Sequence, residues 1–118
     1  MRESMEILGS IQGENVAVEG REKMQRQMRD LIRRLHGSRS WEGGNVSYKV
    51  HFWRPAFGTR VDSLIEFRAD GRETWFARAN GPDSWRSFCR AVSSLRQILT
   101  EMEMREEGAV DDDIHEGS

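Results

Sequence analysis

Apolar residues recur along this chain at two spacings, and each change of spacing marks an element. Over residues 21–36, Met24, Met28, Leu31, Ile32 and Leu35 recur every three or four positions, while Arg26, Arg29, Arg33 and Arg34 fall largely off that stripe. That spacing predicts an amphipathic helix. Gly37 follows as a residue able to take the left-handed conformation that ends helices. Over 45–53 the period drops to two: Val46, Tyr48, Val50 and Phe52 alternate with Ser47, Lys49, His51 and Trp53. Successive side chains of a strand point to opposite faces, so this run predicts a strand with one apolar face. Arg54-Pro55-Ala56-Phe57-Gly58-Thr59 interrupts it, because Pro lacks the ladder donor. Residues 60–68 predict a second strand with Val61, Ile65 and Phe67 on one face. Asp70-Gly71 is a two-residue hairpin signal, and residues 72–79 follow as a third strand. Asn80-Gly81-Pro82-Asp83-Ser84 then opens a second helix, with an early Pro and an acid near the positive end of the helix dipole. Its stripe is Trp85, Phe88, Cys89, Val92, Leu95, Leu99 and Met102.

Residues 5–18 are less decided. Ile7, Gly9 and Ile11 alternate, as do Val16 and Val18, and Gln12-Gly13-Glu14-Asn15 has turn composition. A hairpin or a loose arm both fit. The predicted fold is α+β: a helix, a three-stranded antiparallel sheet, and a long C-terminal helix packed on one sheet face, with an extra N-terminal hairpin as an option. Residues 1–20 form the arm or hairpin, 21–105 one α-β-β-β-α domain, and 106–118 an acidic tail expected to be disordered.

Charge sharpens this division. The chain of 118 residues has a net charge of −2. Residues 21–100 nevertheless hold sixteen basic against eight acidic side chains, and residues 101–118 hold Arg105 against eight acids. A basic folded part between acidic ends implies a partner for the basic part. Sixteen of the eighteen basic residues are Arg, whose planar fork suits phosphate and base recognition; a GC-rich genome also enriches Arg. The single cysteine, Cys89, leaves no intrachain disulfide and predicts a reducing compartment and a buried thiol. No apolar run approaches the roughly 20 residues of a membrane span, and the N-terminus lacks a secretory pattern. The expected location is the cytoplasm, or the host cytoplasm or nucleus for a viral protein.

Chemistry-bearing motifs are sparse. His36, His51 and His115 lie far apart and lack the spacing of metal ligands. Asp111-Asp112-Asp113-Ile114-His115-Glu116 reads as a solvated tail. Gly43-Gly44 precedes a strand and cannot cradle phosphate as a helix-opening Gly loop does. With no nucleophile–base pair, ligand cluster or phosphate loop, the expectation is a non-enzyme without cofactor or metal.

The informative constellation is the polar sheet face. Alternation puts Lys49, His51 and Trp53 outward from the first of these strands, Leu64, Glu66 and Arg68 from the second, and Arg72, Thr74, Phe76 and Arg78 from the third. Trp53 and Phe76 among Lys49, His51, Arg68, Arg72 and Arg78 are what unstacked bases and their phosphates need. These seven residues are the candidate site for single-stranded DNA or RNA. Residues 1–20 or the first helix covering those rings as a second core layer is the structural alternative.

The strand pattern Val46-Ser47-Tyr48-Lys49-Val50, Val61 to Arg68 and Trp75-Phe76-Ala77-Arg78, followed by Asp83-Ser84-Trp85-Arg86-Ser87-Phe88 opening a helix, resembles single-stranded nucleic-acid binders of the PUR and Whirly type. It also resembles the positive-cofactor transcriptional coactivators. Those families use four strands per repeat where three are read here. The order is similar, too, to double-stranded-RNA-binding domains, without their motif residues, and to small phage-encoded inhibitors of CRISPR nucleases. The last resemblance implies a rival function: a regulatory protein whose acidic 101–118 segment mimics nucleic acid in a partner's basic groove. A third is an assembly subunit, with a homodimer as its simplest form.

Overall fold

Residues that read as hairpin or loose arm form a strand, and that strand changes the topology. The computed structural model describes residues 6–36, 45–69 and 74–116, with side chains over 6–34, 45–69 and 74–102. In chain order the elements are β1 (Ile7–Glu14), α1 (Arg21–His36), β2 (Val46–Trp53), β3 (Val61–Ala69), β4 (Thr74–Gly81) and α2 (Ser84–Glu116). The strands form one sheet in the order β1-β2-β3-β4. β1 lies parallel to β2, with Ile7 opposite Val46 and Glu14 opposite Trp53. The β2–β3 and β3–β4 pairs are antiparallel.

The expected three-stranded antiparallel sheet with an N-terminal hairpin is therefore corrected to a mixed four-stranded sheet. The physical reason lies in the connection. Parallel neighbours cannot be joined by a tight turn and need a crossover, and α1 is that crossover. Gln12-Gly13-Glu14 has turn composition but pairs in register with His51, Phe52 and Trp53. The chain reverses one residue later, at Asn15, whose φ of 56° is the left-handed conformation Asn tolerates best among non-glycine residues. Gly9 keeps β1 glycine-bearing for a separate reason: a Cβ there would lie 2.0 Å from Cζ of Tyr48.

Among the described residues, one sheet face carries the core. Ile11, Val46, Tyr48, Val50, Phe52, Val61, Ile65, Phe67 and Ala77 are buried there together with Met24, Met28, Leu31 and Ile32 of α1 and Phe88, Val92, Leu95 and Leu99 of α2. Both helices thus cover the same face, α2 along β3 and β4 and α1 beside it toward β1. The apolar stripes of both helices end in one cluster, which is why neither helix is left to cover the opposite face.

Helix α2 starts where the sequence predicts. Asp83 Oδ1 accepts the backbone N–H of Arg86 at 2.8 Å, an N-cap worth about 1 kcal/mol. Gly20 opens α1 with a φ of 76°, and its carbonyl accepts the N–H of Met24. Trp85, at the head of the α2 stripe, is half-buried, its ring stacked on Phe88 at 5.9 Å. The helix runs on to Glu116 through the acidic residues where the charge run predicts a disordered tail. The Gly37 helix stop, the Asp70-Gly71 turn and Arg72 lie outside the described residues. Among the described residues no helix is long and apolar enough to cross a membrane.

Candidate functional site

The sheet face away from the helices is a grid set by strand register. Lys49 lies opposite Glu66, which lies opposite Phe76; His51 lies opposite Leu64, and Leu64 opposite Arg78; Trp53 lies opposite Asp62, and Asp62 opposite Asn80. Lys49, His51, Trp53, Arg68, Phe76 and Arg78 therefore share one face; the seventh predicted residue, Arg72, lies outside the described residues. Phe76 is 55% exposed, and Trp53 is half-buried.

The electrostatics of this face differ from what the cations alone suggest. Arg78 Nη2 sits 3.4 Å from Asp62 Oδ2, and its guanidinium lies over the Trp53 ring at 5.2 Å from the centroid. One of the two candidate stacking rings is already capped by a cation, and that cation is already paired. Two of the cations have acids at hand: Lys49 lies opposite Glu66, and Arg78 pairs with Asp62, while Arg68 lies opposite Ser47 and Thr74. Among the described residues, acids interleaved with the cations weaken the pull of this face on phosphates. Alternation located this face; the acids across the register were what the cation count passed over.

An excess of positive charge sits on the helix layer. Along the described part of α1, Arg21, Lys23, Arg26, Arg29, Arg33 and Arg34 are exposed against Glu22 and Asp30. Arg26, Arg29 and Arg33 line one shallow surface depression of about 290 Å³ with Glu22, Gln25 and Asp30. A second depression, about 390 Å³, runs between α1 and α2, where Arg34 and Arg96 flank Leu31, Cys89 and Val92. Exposed Arg86, Arg90 and Arg96 extend the basic surface along α2. The sequence signal for this surface was present in the Arg residues off the α1 stripe, since an amphipathic helix must turn that side to solvent.

Two titratable groups border this layer. Burial pushes the Cys89 thiol up, and the Asp83 carboxylate adds to the effect, so the thiolate nucleophile is disfavoured. Burial likewise raises the Tyr48 hydroxyl, with the Arg29 charge opposing in part. Cys89 is half-buried in the inter-helix depression, not enclosed in the core as its place in the stripe predicts. Among the described residues no three His, Cys, Asp or Glu side chains converge as metal ligands.

No family model matches the sequence, and no curated protein does. The fold does have solved counterparts. The chain is similar to the N-terminal domain of Protein Y from Thermus thermophilus, at 18% identity over 83% of this chain and 99% of that one, with a TM-score of 0.55. It is similar at 18% identity, over 85% of this chain and 99% of the other, to a ribosomal subunit interface protein from Coxiella burnetii, with a TM-score of 0.57. The expectations of a single-stranded DNA or RNA binder on the sheet face, a phage-type acidic mimic, an assembly subunit and a homodimer are corrected on this finding: the solved structures that share the fold include a ribosomal subunit interface protein and are not of those kinds.

Proposed function

We propose that this protein is a ribosome-associated factor that lodges at the subunit interface and acts by occupying that space, without catalysis. The observation that carries the proposal is the likeness of its fold to a ribosomal subunit interface protein across nearly all of that chain. The charge layout supports it. A ribosome presents folded RNA, and the basic ridge of Arg26, Arg29 and Arg33 on α1 offers phosphates positive charge less interrupted by acids than that of Lys49 and Arg78 on the outer sheet face. Phosphate contacts of this type position a protein without reading sequence, which suits a factor held by the shape of its cleft. The proposed location follows as the cytoplasm.

The test is sedimentation. Purified protein is mixed with bacterial 70S ribosomes and, separately, with 30S and 50S subunits, and the mixtures are resolved on sucrose gradients at low and raised salt. The expected result is co-migration that falls steeply as salt rises. A protein that stays at the top of every gradient at low salt would end the proposal.

A further inference from the structure

Phe57 is 94% exposed, against 59% for Leu8 and 55% for Phe76, the other large apolar side chains in solvent among the described residues. It sits in the loop joining β2 to β3, where Arg54-Pro55-Ala56-Phe57-Gly58-Thr59-Arg60 contains two cations and no acid. Gly58, next to it, has a φ of 118°, and a Cβ built there would meet nothing within 4 Å. The loop apex therefore projects into open space. Its base is fixed: Arg60 Nε donates to Asn80 Oδ1 at 2.9 Å, and Arg90 Nη1 donates to the Asn80 carbonyl at 2.9 Å. Arg60 and Arg90 thus meet around one residue of β4.

Topology gathers further charge at this end. β1 and β2 run parallel and finish side by side at Glu14 and Trp53, and β4 finishes there opposite the start of β3. Both helices start from that end of the sheet, α2 directly after β4. Ser84 Oγ accepts the backbone N–H of Glu19 at 3.4 Å, which joins the segment leading into α1 to the start of α2. The projecting loop consequently stands beside a rim that includes Arg60, Arg90 and the Arg86–Asp83 pair.

We infer that the Arg54–Arg60 loop is a docking finger that lays Phe57 against a bulged base of folded ribosomal RNA, with Arg54 and Arg60 on the flanking phosphates. This rests on the proposed ribosome association and names one contact within it. The chemistry selects RNA over a protein pocket. A protein-binding anchor works within a cluster of apolar neighbours that exclude water, whereas Ala56, Gly58 and Thr59 give Phe57 no such cluster. A lone ring between guanidinium groups matches a base, whose face stacks on the ring while its phosphates meet the cations.

The experiment uses the full chain and purified bacterial 70S ribosomes. Phe57→Ala, Phe57→Trp and Arg54→Ala are compared with the unaltered protein in pelleting assays, and a benzophenone amino acid replaces Phe57 for photo-crosslinking. Phe57 supports no core contact, so the urea midpoints of the variants stay at the parent value. Phe57→Ala is expected to weaken binding by roughly 5- to 150-fold, the loss of one stacked base. Phe57→Trp keeps binding, because Trp also stacks. Arg54→Ala weakens binding and flattens its salt dependence. The crosslinked adduct is digested by ribonuclease. Unaltered protein that pellets while Phe57→Ala pellets equally well overturns the finger alone, as does an adduct to ribosomal protein. Unaltered protein that fails to pellet overturns the ribosome proposal, and the finger with it.

Discussion

The Ser87 hydroxyl donates to Ser63 Oγ across 2.8 Å, and Ser63 Oγ in turn donates to the Ser87 carbonyl at 3.1 Å. Both residues are completely buried. This pair is the seam between β3 and the start of α2, and small residues let the helix approach. Gly81 continues the seam: a Cβ there would lie 2.7 Å from the Ser87 backbone nitrogen and 3.0 Å from the Arg86 carbonyl carbon. Backbone cannot yield as a flexible side chain can. Gly81→Ala is therefore expected to cost about 1–3 kcal/mol through overpacking. Ser63→Ala is expected to cost about 1 kcal/mol, because the Ser87 hydroxyl retains the Ala79 carbonyl as a second acceptor. Urea unfolding of the two variants checks the ranking, and equal midpoints would show that the seam is not tight.

Gly9 and Tyr48 make the matching contact toward the other edge of the sheet. Any side chain at Gly9 enters the space of the Tyr48 ring. Gly9→Ala is expected to destabilise by about 1–3 kcal/mol. In a Tyr48→Ala background the same change should cost less, since the clash has gone; residues that touch show such non-additivity. Four urea curves form the cycle. Simple additivity would mean that the ring is not what holds Gly9.

The two helices and three of the strands were legible because each buries one face and so writes its period into the sequence. Met24, Met28, Leu31 and Ile32 announced α1, and Val46, Tyr48, Val50 and Phe52 announced β2. β1 wrote its period weakly. Gly9 and Gly13 interrupt its apolar side, and of its eight residues Ile11 alone is buried. Its parallel pairing was invisible for a different reason: the turn composition of Gln12-Gly13-Glu14-Asn15 suits a hairpin as well as a crossover, and only the path through α1 sets the strand direction. The face of Lys49, His51, Trp53, Phe76 and Arg78 was legible from alternation. The Asp62–Arg78–Trp53 arrangement was not, because it depends on register between strands, which strand-by-strand alternation does not reveal. Phe57 stood in plain view in a loop, but loops carry no periodicity from which its exposure could be read.

Cys89 offers a check on the inter-helix depression. Its thiol is half-buried and held above its ordinary pKa by burial and by Asp83. The thiolate is the reactive form, so labelling by a maleimide at neutral pH is expected to run more slowly than for a free thiol, and to accelerate as pH rises above the ordinary thiol range. Asp83→Asn removes one of the two causes and should lower the onset pH. The same change weakens the N-cap of α2, so its urea midpoint is measured alongside. Labelling as fast as free cysteine at neutral pH would place Cys89 in open solvent and contradict the packing of α1 on α2.

The balance of charge between the two faces gives the prediction that bears most directly on function. Arg26 and Arg33 are exposed on α1 and line one basic depression, whereas on the sheet face Lys49 lies opposite Glu66 and Arg68 stands two residues from Glu66 along β3. Charge reversal should therefore act unequally. Arg26→Glu with Arg33→Glu is expected to weaken pelleting with 70S ribosomes by tenfold or more, on the order of 1.4 kcal/mol. It should also flatten the salt slope in proportion to the phosphates that the two arginines neutralise. Lys49→Glu with Arg68→Glu changes net charge by the same amount and should leave binding within a factor of about two to three, the change expected from screened long-range charge alone. The equal change in net charge is what makes the pair informative: a merely electrostatic attraction of the whole molecule would weaken both double variants alike. Greater weakening by the sheet-face pair would move the interface to the strands, and the ribosome contact would then have to be built around Phe76 and not around α1.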